Sequence, residues 1–141
     1  METDGQATAP GSALALILVR EIGQALAAFA ESGEPAAIDL RGLPMSDADR
    51  EELLAWLGDG EIAATLAVAG RSEIRETRFT GVWWVRHFGT DDRIAAERIE
   101  IASVPDILIA DMADVTAAAA RFDDELAELS IPPSMEEAEH V

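Results

Sequence analysis

From Gly60 onward the spacing between apolar residues drops from three or four to two, and this one change limits the chain to folds that pack helices against a sheet. Ahead of it, Leu14, Leu18, Ile22, Leu26 and Phe29 recur at three or four in a proline-free stretch rich in Ala and Leu. That spacing predicts a helix over residues 13–32, closed at Gly33. The first half of this helix is apolar nearly all round, so it calls for a second contact besides the sheet, either another helix or another subunit. A short strand at 38–40 precedes the Gly42-Leu43-Pro44 break. Ser46 then opens a capping-box-like start with Asp49 in place of the usual Glu or Gln, which predicts a short second helix ending at Gly58.

Beyond Gly60 the alternation predicts strands at 62–68, 72–79, 82–88 and 94–104. Thr80-Gly81 sits where a tight hairpin turn belongs, although Thr is a poor residue for the positive φ of a two-residue turn, so a bulge is an alternative there. Pro105 stops the last strand. Leu108, Met112, Val115, Ala119, Phe122, Leu126 and Leu129 then recur at steps of four and three, a helical seam with Asp111 as its N-cap and a separate turn over 105–110. The order α-β-α-β-β-β-β-α predicts an α+β fold of two layers. A mainly antiparallel sheet of four to five strands is packed on one face by the two longer helices.

With 141 residues, 49% of them hydrophobic, one core is the default, and a single domain over 13–131 is expected between a disordered start, 1–12, and an acidic disordered tail, 132–141. Residues 1–12 hold two acids and no base, so the apolar run 13–19 lacks the positive flank of a secretory signal. It is also shorter than the roughly 20 residues that span a bilayer. A cytoplasmic protein without membrane insertion is the expectation.

Cysteine is absent, which removes disulfides, thiolate nucleophiles and cysteine-ligated zinc or iron–sulfur clusters. All ten basic residues are arginine, so Schiff-base chemistry and a phosphate-loop lysine are excluded as well. The formal charge of −18 repels phosphate backbones and argues against nucleic acid as a partner. That charge is uneven: residues 71–98 hold six arginines against five acids, whereas the remainder holds four against twenty-three. The two histidines, His87 and His140, cannot make a His-rich metal shell, and no Asp-rich, Gly-containing calcium loop is present. No metal or cofactor is expected.

The most unusual segment is residues 81–88, Gly-Val-Trp-Trp-Val-Arg-His-Phe. On a strand, Trp83, Val85 and His87 share one face while Val82, Trp84, Arg86 and Phe88 share the other, so one tryptophan belongs to the core and the other lies outside it. A two-residue turn at Thr80-Gly81 would set Thr77 opposite Trp84 and Arg75 opposite Arg86, two like charges side by side. Such a pair needs an acid nearby, Glu73 for instance, or one supplied by a partner. Exposed Trp and Arg are enriched at binding hot spots, which makes Arg75, Trp83, Trp84, Arg86 and His87 the candidate partner-binding residues. The bland alternative is a sheet face covered by helices with its arginines neutralised internally.

Three segments together resemble a known family. They are Ile38-Asp39-Leu40-Arg41-Gly42-Leu43-Pro44-Met45 with Leu57-Gly58-Asp59-Gly60-Glu61-Ile62, then Ser72-Glu73-Ile74-Arg75-Glu76-Thr77-Arg78, then Gly81-Val82-Trp83-Trp84-Val85. They look like the C-terminal domain of the HupH/HyaF hydrogenase expression/formation proteins, over residues 14–129. The resemblance implies a bacterial accessory protein for nickel–iron uptake hydrogenases, a chaperone in maturation of the small, iron–sulfur-bearing subunit, with no enzymatic activity. Relatives of this kind are commonly longer than a single such unit. The implied partner is a hydrogenase structural subunit or another maturation protein. Two alternatives remain: a small-ligand or enzyme pocket between sheet and helices, with Glu61, Arg71 or His87 as polar groups, and a self-associating domain, a homo-oligomer joined through the apolar start of the first helix.

Overall fold

The computed structural model describes residues 11–67 and 70–129. All but the last two residues of the polar start, and the whole acidic tail 132–141, lie outside the described residues. Two compact units appear, Met1–Pro105 and Asp106–Val141. The first holds α1 (Ala13–Ser32), β1 (Ala36–Asp39), α2 (Asp47–Leu57), β2 (Ala63–Leu66), β3 (Arg71–Glu76), β4 (Val82–Phe88) and β5 (Ile94–Ile101). The second holds a 3-10 turn (Asp106–Leu108) and α3 (Met112–Ala127). The α+β class, the element order and the antiparallel sheet are those the sequence predicts.

Each helix begins and ends where its local chemistry dictates. The Ser12 hydroxyl accepts from the Ala15 N–H, and Gly33, with φ of 75°, closes α1 by donating to the Phe29 carbonyl. At the start of α2 the Ser46 hydroxyl accepts from the Asp49 N–H while the Asp49 carboxylate accepts from the Ser46 N–H, each at 3.0 Å. The Ser12 hydroxyl, ahead of the Ser46 N–H, holds the Asp49 carboxyl below its ordinary range. Asp111 caps α3 in turn, accepting from the Ala113 N–H at 2.8 Å.

The sheet order is β1-β5-β4-β3-β2, every pair antiparallel. One face carries Ile38, Val82, Trp84, Ile99 and Ile101, and Ala15, Leu18 and Ile22 of α1 pack there with Leu53 and Leu57 of α2. In this unit the helical layer is therefore α1 with the shorter α2, and it lies over the β1–β5 side of the sheet. Among the described residues, α1 is the one helix long and apolar enough to cross a membrane, a property the short run 13–19 lacks. Its buried stripe of Ala15, Leu18 and Ile22 serves the core, while Ile17 on another side of the helix is 58% exposed.

Gly23 lies in the middle of α1, exposed, with nothing within 4 Å of where a Cβ would stand. Gly23→Ala should therefore stabilise the protein by about 0.5–1 kcal/mol, because the helix gains propensity and the unfolded chain loses freedom. Urea unfolding reads the gain, and a loss of stability would show that the site lacks the room inferred.

The β3–β4 connection is longer than the two-residue turn expected at Thr80-Gly81. Thr77 and Val82 close it: the Thr77 N–H and hydroxyl both donate to the Val82 carbonyl, at 3.0 and 2.9 Å, and the Val82 N–H returns to the Phe79 carbonyl. Only Gly81 needs a positive φ, 95°, so Thr80 escapes that strain. The register is consequently Arg75 opposite Trp84 and Glu73 opposite Arg86, which corrects the like-charge pair expected between Arg75 and Arg86. A shift of two residues leaves every side chain on the face that alternation assigns it.

Candidate functional site

Trp84, Arg86 and Phe88 of β4 lie on the helix-bearing face, alongside Arg71, Glu73 and Arg75 of β3. Of the two helices, α1 contacts β5 and β1, and on β3 the side chains of Arg71 and Arg75 keep 40% and 49% of their exposure. Arginines and aromatic rings alternate across this face. The Arg71 guanidinium carbon stands 4.0 Å from the Phe88 ring centre, and that of Arg86 stands 5.6 Å from Phe88 and 4.0 Å from Trp84. Arg75 approaches Trp84 from the other strand at 5.8 Å. Stacking on aromatic faces suits the planar, weakly hydrated guanidinium and leaves its N–H edge free for a carboxylate.

Beside this strip on the same face, opposite Arg86, lies Glu97 of β5, only 2% exposed. Its carboxylate accepts a hydrogen bond from Trp84 Nε1 at 2.7 Å and faces Arg86 Nε at 3.7 Å and Arg50 Nε, from α2, at 3.6 Å. One buried carboxylate thus orients the indole and neutralises two guanidinium groups. Burial pushes the Arg86 guanidinium below its usual range, with the Glu97 and Glu73 carboxylates opposing that shift. Arg86 Nε is buried and makes no hydrogen bond among the described residues. Arg75 likewise meets Asp59 only at 3.8 Å, outside hydrogen-bonding range. Beside it a hollow of about 260 Å³ opens, lined by Asp59, Gly60, Ile62, Ala63, Arg75 and Glu76.

The five candidate residues therefore divide between the two faces. Arg75, Trp84 and Arg86 come together on the open strip. Trp83 and His87 point to the opposite side: Trp83 is 4% exposed and donates from Nε1 to the Ala102 carbonyl, while His87 Nδ1 lies 2.7 Å from the Ser72 hydroxyl. Both tryptophans are thus held by hydrogen bonds, one buried and one half-buried. Arg71 and Phe88 extend the strip, and Glu97 supports it. Glu97 is legible in the sequence, because the period of two places it on one face with Ile99 and Ile101, a charge among core positions.

The polar groups expected of a small-ligand pocket do not converge, since Arg71 and His87 occupy opposite faces of the sheet. A groove between α1, α2 and the β3–β4 turn, lined by Val19, Gly23, Leu26, Trp56 and Phe79 among others, measures about 110 Å³. That is well below the roughly 300 Å³ at which ligand pockets begin.

Residues 13–129 match the family model described as HupH hydrogenase expression protein, C-terminal conserved region. The chain is 34% identical over 91 residues to the hydrogenase expression/formation protein HupH of Rhizobium leguminosarum bv. viciae, covering 63% of this chain and 32% of that protein. It is 33% identical over 89 residues to the hydrogenase-1 operon protein HyaF of Escherichia coli K12, covering 63% and 31%. It spans about a third of the length of these curated relatives. A solved structure, the hydrogenase expression protein HupH from Thiobacillus denitrificans ATCC 25259, superposes with a TM-score of 0.80 at 41% identity, over 83% of this chain and 98% of that one.

Proposed function

This chain belongs to the HupH hydrogenase expression protein family by its C-terminal conserved region, and from that premise we propose that it acts in hydrogenase maturation as a non-enzymatic chaperone. Its client is the immature small, iron–sulfur-bearing subunit, and the arginine–aromatic strip of β3 and β4 is the contact surface. The observation that carries this reading is Trp84, flanked by two guanidinium groups without a hydrogen-bonded carboxylate among the described residues, in a chain with 28 acids. Interfaces favour Trp and Arg in this arrangement because each combines apolar area with directed hydrogen bonds. Without cysteine, the chain offers an iron–sulfur subunit a protein surface and no thiolate ligand.

Arg75 is the clean probe, since its side chain is half exposed whereas replacing either tryptophan would disturb the fold. Arg75→Glu should weaken binding of a purified small-subunit precursor by about tenfold with the thermal midpoint unchanged. Calorimetric titration measures it, and undiminished affinity would remove the strip from the proposal.

A further inference from the structure

The second unit carries a surface that the proposed function leaves unused. Met112, Val115, Ala119, Phe122, Leu126 and, two residues past the helix, Leu129 follow one another at steps of three, four, three, four and three. This is a two-in-seven seam, the narrow spacing with which one helix meets another, and not the broader stripe that a helix lays on a sheet. Among the described residues the seam is exposed, Met112, Phe122 and Leu129 at 71%, 72% and 69%. Its C-terminal half is contoured, with a hollow of about 200 Å³ lined by Phe122, Glu125, Leu126 and Leu129.

The flanks decide what fits. Asp123 borders the seam on one side and Glu125 on the other, and residues 112–129 hold five acids against one arginine, Arg121. That arginine already faces Glu125 at 3.6 Å. A second copy docking through the same helix would bring the same acids, under a charge of −18 on each molecule, and only an arginine that already faces its own Glu125. An anionic membrane is disfavoured for the same reason.

We infer that α3 docks a basic amphipathic helix of a partner protein, its apolar side seated against Phe122, Leu126 and Leu129 and its Lys or Arg residues paired with Asp123 and Glu125. This inference stands apart from the β3–β4 strip and survives if that strip proves inactive.

The test uses the full chain and designed helical peptides of about three heptads, with Leu along the seam and either Lys or Glu at both flanks. Fluorescence anisotropy near physiological salt should show the Lys peptide binding at least about tenfold tighter than the Glu peptide. Phe122→Asp with Leu126→Asp should abolish that binding, and Asp123→Lys with Glu125→Lys should reverse the preference between peptides. Binding of the Lys peptide that survives the seam variant would reduce the effect to non-specific charge attraction and overturn the inference. So would a dimer of the free protein dispersed by that variant, which would make a second copy the occupant. A lowered thermal midpoint of the variant without peptide would assign the seam to the protein's own core and overturn the inference as well.

Discussion

Replacing Glu97 with alanine should lower the unfolding free energy by about 3 kcal/mol, a large effect for a single substitution. The carboxylate is almost wholly buried and is shared by the Trp84 N–H, Arg86 and Arg50. Removing it leaves an indole donor without its acceptor and two guanidinium groups without their counter-charge, one of them already held below its usual range by burial. Breaking a fully buried ion pair from one side costs roughly 3–5 kcal/mol. Arg50 and Arg86 keep 26% and 20% of their side-chain exposure, so water relieves part of that cost and the lower end applies. Glu97→Gln keeps an acceptor for the indole while discarding the charge, and should lose about half as much. Urea denaturation of both variants separates the two contributions. A Glu97→Ala protein within about 0.5 kcal/mol of the parent would mean that the carboxylate does not organise the strip.

Gly60→Ala should destabilise the protein by about 2–3 kcal/mol, although the residue is exposed. A Cβ there would run into the Thr77 carbonyl oxygen and stand 2.7 Å from a Glu76 carboxylate oxygen. The side chain can move aside, but the Thr77 carbonyl is backbone and cannot easily yield. The Gly60 N–H donates to the Glu76 carbonyl at 2.7 Å and the Glu61 N–H to the Glu76 carboxylate at 3.1 Å, so the chain leaving α2 is laid directly on the end of β3. Glycine is required for close approach of two backbones, with no need of a positive φ. Set beside Gly23→Ala, the substitution should have the opposite sign in the same denaturation experiment. A neutral Gly60→Ala would show that the loop can lift off β3 without loss.

Much of the fold is legible in the chain because its signals are local. The limits of α1 and β4, the capping box at Ser46, the N-cap at Asp111 and the separate turn before α3 all follow from residues within a few positions of one another. The division of Trp83 and Trp84 between the two faces is local in the same sense, a consequence of the pleat. Pairing across β3 and β4 was not so determined. It depended on whether the chain turned in two residues or in four, and the Thr77 hydroxyl together with the left-handed Gly81 selected the longer course.

The period change at Gly60 thus determined, by itself, the class of the fold and the face on which each strand residue lies, because backbone geometry alternates side chains whatever they meet. Which charges those faces bring together was decided only by the tertiary structure. Arg86 could have stood beside Arg75. It stands between Glu73 and Glu97 because strand register, set by contacts far apart in sequence, puts carboxylates there, while the placement of α2 brings Arg50 to the same buried Glu97. The physical reason is range: side-chain direction is a property of one residue and its neighbours, while the surroundings of a charge belong to every element that packs around it.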